Sequence, residues 1–236
     1  MSIISERLKS VESNIQSACA RAGRNREEVT LIAVSKTKPI EDIREAIGCG
    51  CTCFGENKVQ ELREKALVLN ESIQWHLIGH LQVNKVKYLP GITALIHSVD
   101  SEKLALEIDR QAQKHGIVMD VLCEVNVAGE ESKFGMRVSE TPELIKKITD
   151  ECKNLRVKGL MTVAPRTEDP ESNRLHFRTL RELLSKTNAS LAADRQLTEL
   201  SMGMSGDYEV AIEEGATFIR VGSSIFGPRS YEVAEG

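Results

Sequence analysis

The sequence predicts an α/β fold, a single closed (β/α)8 barrel of TIM type with one extra helix ahead of it. Two observations carry this. Eight short β-prone runs alternate with helical patterns, an alternation that implies parallel strands joined by right-handed crossovers. The composition is 41% hydrophobic but only 4% aromatic, so the core is aliphatic and suits helices packed on a sheet. A length of 236 residues accommodates such a barrel. An open doubly wound sheet is the alternative architecture.

The extra helix comes first, with Leu8, Val11, Ile15, Ala18 and Ala22 spaced three or four apart on one apolar face. The first strand, Thr30 to Val34, precedes a helix with Pro39 in its first turn. That helix has Glu41 and Asp42 at its positive end, a stripe of Ile40, Ile43 and Ile47, and Gly48 as its stop. Cys51 to Phe54 is the second strand, with a helix from about Glu56. Ile73 to Ile78 is the third, followed by helix from Asn84 to Tyr88. Thr93 to Ser98 precedes a helix capped at Asp100 or Ser101, with Leu104, Ile108 and Ala112 inward. Met119 to Val127 is a long strand, and Thr141-Pro142-Glu143 opens the next helix. Arg156 to Val163 leads through Asp169-Pro170 into a helix striped by Phe177, Leu180 and Leu184. Leu197 to Met202 precedes a helix from Asp207 to Glu214, stopped by Gly215. Thr217 to Val221 is the eighth strand, and only a short tail follows it. No linker, low-complexity stretch or sequence repeat divides the chain, so residues 1–236 are expected to form one domain.

The net charge of −4 lacks the basic footprint of a nucleic-acid binder. No apolar run reaches the length of a membrane span, and Ser5-Glu6-Arg7 interrupts any signal peptide. The expected location is the cytoplasm, with six cysteines as reduced thiols.

In a barrel the active site lies over the carboxyl ends of the strands. Lys36 stands there, after Leu31-Ile32-Ala33-Val34 and before Pro39. Partial burial disfavours its ammonium and frees the amine to attack an aldehyde; the competing reading is a rim lysine lying over apolar surface. Two glycine-hydroxyl turns, Gly203-Met204-Ser205-Gly206 and Gly222-Ser223-Ser224, follow the last two strands, where barrels often bind phosphate. Ser205-Gly206-Asp207 opens a helix whose amides can hold an anion. Gly222 permits close backbone approach, and Ser223 and Ser224 add hydroxyls; alternatively the glycines only make turns. An amine with a phosphate cradle points to pyridoxal 5′-phosphate (PLP). Arg220, against the pyridine nitrogen, would keep it unprotonated and the ring a weak electron sink; pairing with a rim carboxylate is the other reading.

Three further groups carry less. Cys49, Cys51 and Cys53 lack the second pair that would complete a zinc set. His76 and His80 straddle a strand end without the glutamate of a zinc protease, so no metal site is expected. Gly129-Glu130-Glu131-Ser132-Lys133 reads as a solvated rim loop.

Several segments resemble the signatures of the pyridoxal phosphate homeostasis protein family (the YggS/PROSC type). They are Ser35-Lys36-Thr37-Lys38-Pro39, Phe54-Gly55-Glu56-Asn57 with Gln60-Glu61, and Trp75 to Gln82 with Asn84-Lys85. Leu200 to Ser205, Arg220 to Ser223 and Ile225-Phe226-Gly227 complete the set. The resemblance covers nearly the whole chain. It implies a barrel like the N-terminal domain of alanine racemase and an internal aldimine on Lys36. It also implies phosphate held by Ser205, Gly222 and Ser223, Arg220 facing the pyridine nitrogen, and Asn57 and Met202 lining the ring pocket. Lys58 departs from a frequent aromatic, and Ser223 from the commoner threonine.

A racemase needs acid–base groups on both faces of the bound amino acid, and in similar barrels a tyrosine from a second domain serves one face. Only Tyr88, Tyr208 and Tyr231 are present, none in a segment that reads as a second domain. The expected function is therefore PLP binding for intracellular homeostasis or delivery rather than turnover. PLP-dependent apo-enzymes are the expected recipients and a monomer the expected state; an amino-acid racemase is the alternative.

Overall fold

A computed structural model describes residues 2–69, 73–130 and 132–228. Among these, eight parallel strands close into a barrel. In chain order they are β1 (Thr30–Val34), β2 (Cys53–Glu56), β3 (Gln74–Leu77), β4 (Leu95–Val99), β5 (Met119–Asn126), β7 (Leu155–Met161), β8 (Glu199–Met204) and β9 (Phe218–Val221). The order runs β4-β3-β2-β1-β9-β8-β7-β5, and a β4–β5 pairing closes the ring. A two-residue strand not expected from the sequence, β6 (Met136–Arg137), adds to the end of β5.

Helix α1 (Ile3–Arg21) packs outside the barrel with Leu8, Val11, Ile15 and Ala18 buried, and Ser2 caps it. The crossovers carry α2 (Ile40–Gly48), α3 (Val59–Val68), α4 (Glu102–His115), α5 (Thr141–Glu151), α6 (Arg174–Asn188) and α7 (Tyr208–Glu213). Most strand ends fall within two residues of expectation, and four further differences stand out. β2 runs two residues further, so Glu56 ends a strand rather than opening a helix. Residues Val83–Tyr88 form a 3-10 helix, and the tail after β9 holds a one-turn helix, α8 (Ser223–Phe226). In α6 the core face is Phe177, Leu180 and Leu183, with Leu184 only partly buried.

Strand alternation separates two interiors. Ala33, Phe54, Trp75, Leu77, Ile96, Val121, Cys123, Leu160, Met202 and Ile219 join the large apolar layer under the helices. Inside the barrel, Leu95, Leu122 and Met161 form a smaller apolar floor, with Val163 and Phe218 against it. Above that floor the interior turns polar, and that change of character locates the site.

Candidate functional site

Four side chains form a chain across the barrel interior. Arg220 is buried on β9; its Nη1 donates to Ser201 Oγ on β8 at 2.5 Å and its Nη2 to the Thr162 carbonyl at 2.8 Å. Ser201 Oγ lies 2.9 Å from His97 Nδ1, and His97 Nε2 lies 2.9 Å from His76 Nδ1. Because Arg220 donates to Ser201, the serine hydroxyl hydrogen is left for His97 Nδ1, and the direction passes along the chain to His76. Burial pushes the His76 imidazole down to about 4. Burial, then the nearby His76 and Arg220, hold His97 well below the usual imidazole range. Both rings are therefore neutral at pH 7, and Arg220 carries the charge even though desolvation lowers it to about 10. His76 and His80 are neighbours in the sequence, but barrel closure brings His76 against His97. His80 sits at the rim, 3.3 Å from Asp100 and stacked on Phe134 with centroids 3.7 Å apart.

Glu124, also inside, faces Arg220 and Asp100. Desolvation first, then the Asp100 charge, raise its carboxyl to about 7, against the pull of Arg220. Among the described residues no group of three or more His, Cys, Asp or Glu side chains is arranged to hold a metal ion.

The rim above this chain collects most of the residues singled out from the sequence. Lys36 follows β1 by two residues and is half-buried; by alternation it extends the interior row of Ile32 and Val34. β1 pairs with β9, Ile32 opposite Arg220 and Ala33 opposite Val221. A Cβ on Gly222 would lie 3.3 Å from the Val34 carbonyl oxygen, so the Lys36 turn and the Gly222 loop are direct neighbours. Gly222 N and Ser224 N both donate to Ser205 Oγ, at 3.1 and 3.4 Å. Two amides converging on one oxygen are an arrangement that suits an anion, and open space lies beside Gly206. Ser223, exposed, starts α8 at the same point.

Asn57 is half-buried just past β2, and the next strand end closes on it. A Cβ on Gly79 would meet the Asn57 carbonyl oxygen at 2.5 Å, so only glycine fits there. Met202 is not brought to the rim. It is fully buried in the outer apolar layer, on the opposite face of β8 from Ser201. A register shift between Ser201 and Met204 sets Met204, half-buried, opposite Arg220.

The turn carrying Lys36 is unusual. Thr37 has φ 63° and is the non-glycine residue with positive φ among those described, a conformation costing a β-branched side chain about 1–3 kcal/mol. Buried charge surrounds it: Lys65, Glu56 and Glu61 interlock behind the turn. In the sequence Glu56 stands out as a helix opening and within a motif, whereas Lys65, His97 and Glu124 do not, because each looks like an ordinary polar residue until its partners arrive from elsewhere in the chain.

Residues 7–230 match the family described as alanine racemase, N-terminal domain. The pyridoxal phosphate homeostasis protein of Aquifex aeolicus is 50% identical over 227 residues, covering 96% of this chain and 98% of that one. The chain belongs to this family. The human pyridoxal phosphate homeostasis protein is 42% identical over 240 residues, with coverages of 95% and 86%. Among solved structures, PipY of Synechococcus elongatus with PLP bound superimposes with TM-score 0.83 at 35% identity, covering 95% of this chain and all of that one. An alanine racemase of Clostridium difficile in complex with cycloserine shares the barrel fold (TM-score 0.73) at 12% identity. It matches 93% of this chain but only 59% of its own length.

The residues present fit PLP. The amide and hydroxyl cluster suits its phosphate, the buried guanidinium suits a ring nitrogen, and a lysine follows the end of the strand paired with β9.

Proposed function

We propose that this protein binds PLP through Lys36 and holds it for intracellular homeostasis and delivery rather than for turnover. The observation that carries the reading is the meeting, on one rim, of Lys36, the Ser205–Gly222–Ser224 cluster and the Arg220 guanidinium. When bound, the cofactor supplies an aldehyde carbon that a lysine amine captures with loss of water.

The chain's own residues do the rest. Ser205, Gly222 and Ser223 receive the phosphate with main-chain amides and hydroxyls. Asn57 borders the ring from the β2 side. Arg220, positioned by Ser201 and kept charged with the help of Glu124 and Asp207, donates toward the pyridine nitrogen and keeps it unprotonated, which suits storage over carbanion chemistry. The described tyrosines support the same reading. Tyr208 accepts from Asn14 on α1 at 3.1 Å, and Tyr88 lies under Arg63 at 4.6 Å, so neither is offered to the rim. Tyr231 lies outside the described residues. One barrel domain across residues 1–236, acting as a monomer in the cytoplasm and passing cofactor to PLP-dependent apo-enzymes, completes the proposal. No described helix is long and apolar enough to cross a membrane, and all six cysteines are free thiols.

Borohydride reduction in the presence of PLP, followed by peptide mass mapping, tests the assignment. The reduced cofactor mass is expected on Lys36 and absent in Lys36→Ala; an unmodified Lys36 at saturating PLP overturns it. Solvent deuterium entering the α-position of alanine or serine at a useful rate would favour the racemase reading instead.

A further inference from the structure

Lys65 is a buried cation that cofactor binding does not use. It sits on the inner face of α3 with its side chain 8% exposed. Its ammonium donates three hydrogen bonds: to the Ser35 carbonyl at 2.7 Å, to Glu56 Oε1 at 2.8 Å and to Glu61 Oε1 at 2.8 Å. That uses every donor a lysine has. Glu61 Oε1 accepts a second bond, from Thr37 N at 2.5 Å, and the Ser35 hydroxyl donates to Glu56 Oε1 at 2.7 Å.

The two backbone groups gripped by this unit are the carbonyl just before Lys36 and the amide just after it. The residue supplying that amide, Thr37, has the positive φ of 63°. Strain of this kind persists only where surrounding structure enforces it, and here the enforcing bonds are identifiable. Stability alone explains the arrangement poorly. Desolvating a lysine and a carboxylate offsets much of their attraction, and apolar residues of similar size stabilise a fold at least as well. An ionic grip on both sides of one residue accounts for geometry instead.

We infer that Lys65 and Glu61 are positioning residues that hold the Ser35–Thr37 turn in its left-handed form and so aim the Lys36 amine at the phosphate loops. The inference rests on the reading of Lys36 as the point of PLP attachment. A small displacement of a reacting group is enough to slow its reaction greatly.

The test compares the full-length chain with Lys65→Met, Lys65→Arg and Glu61→Ala, each exposed briefly to PLP and reduced with borohydride. Hydrogen exchange of the Thr37 amide is measured on the cofactor-free proteins, well below their melting temperatures. Lys65→Met is expected to label Lys36 about tenfold more slowly or worse, with faster Thr37 exchange, and Lys65→Arg to recover part of both. Wild-type labelling and unchanged Thr37 exchange in a folded Lys65→Met protein overturn the inference. Should Lys65→Met fail to fold, Glu61→Ala, whose carboxylate is partly exposed, decides by the same two readouts. If the wild-type chain itself takes no label at Lys36, the attachment reading falls and the aim with it. The exchange measurement still reports whether the unit holds the turn.

Discussion

On the β1–β2 side of the rim, charged side chains do the holding: Lys65 bridges Glu56 and Glu61 and grips the backbone around Lys36. On the β8–β9 side the main chain does it. Gly222 N and Ser224 N turn toward Ser205 Oγ, and Gly203 takes a φ of 87°. Asp207 Oδ1 accepts from Met204 N at 2.7 Å while Asn173 Nδ2 donates to its other oxygen at 2.8 Å. The contrast follows from what each side must present. An anion is recognised by N–H groups whose places are set by the turn itself, so glycines and one capping carboxylate suffice. A reactive amine rides on a long flexible side chain, and only the direction in which its backbone launches it can be fixed. That takes external bonds.

Gly203→Ala is the severest way to break the main-chain side. The added Cβ would stand 2.5 Å from Ala211 Cβ and 2.9 Å from Tyr208 Cα, at a backbone angle disfavoured for alanine. A loss of about 3 kcal/mol or more is expected in urea unfolding; a loss below about 0.5 kcal/mol would mean that this wall yields easily.

Glu124 stands on β5, across the barrel from both sides, and pH sharpens the comparison there. Its folded-state value of about 7 lies above the ordinary carboxylate value of 4.5, so folding favours its protonated form. Its contribution to stability is complete below about pH 4.5 and lost as pH rises through 7, a change of roughly 3 kcal/mol. Glu124→Gln should remove that decline. Equal pH profiles for the two proteins between pH 5 and 8, followed by thermal melting, would remove Glu124 from the account.

Ser223→Thr should change least. The hydroxyl is retained at an exposed position, and PLP affinity by fluorescence titration is expected to stay within about twofold. A tenfold loss would show that the α8 turn depends on side-chain size as well as on its amides.

How much of this was legible depends on range along the chain. The strands were readable because buried parallel strands are apolar runs bounded by turn residues, and the gathering of Lys36, Ser205, Gly222 and Arg220 at one rim was readable because strand ends in a barrel share it. The second strand was placed two residues early because Glu56, seen alone, looks like a helix opening; its burial becomes tolerable only with Lys65 and Ser35 beside it. The resemblance sets Met202 in the ring pocket, whereas the structure buries it in the layer under the helices, on the other face of β8 from Ser201. His76 and His80 stand out in the sequence by their spacing alone, whereas the structure sets His76 against His97, 21 residues away.

From the order of residues alone came the alternation of strand and helix, the barrel, the lysine at the end of the first strand and the glycine-hydroxyl turns after the last two. These are local patterns, legible from hydrophobic period and turn chemistry. Tertiary structure alone decided that Arg220 is carried by Ser201 and two neutral histidines, that Met202 faces the helices, and that Lys65 grips the turn around Lys36. Each depends on which residues of separate strands and helices come opposite one another. Closure of the sheet and its register shifts determine that, and no single segment encodes either.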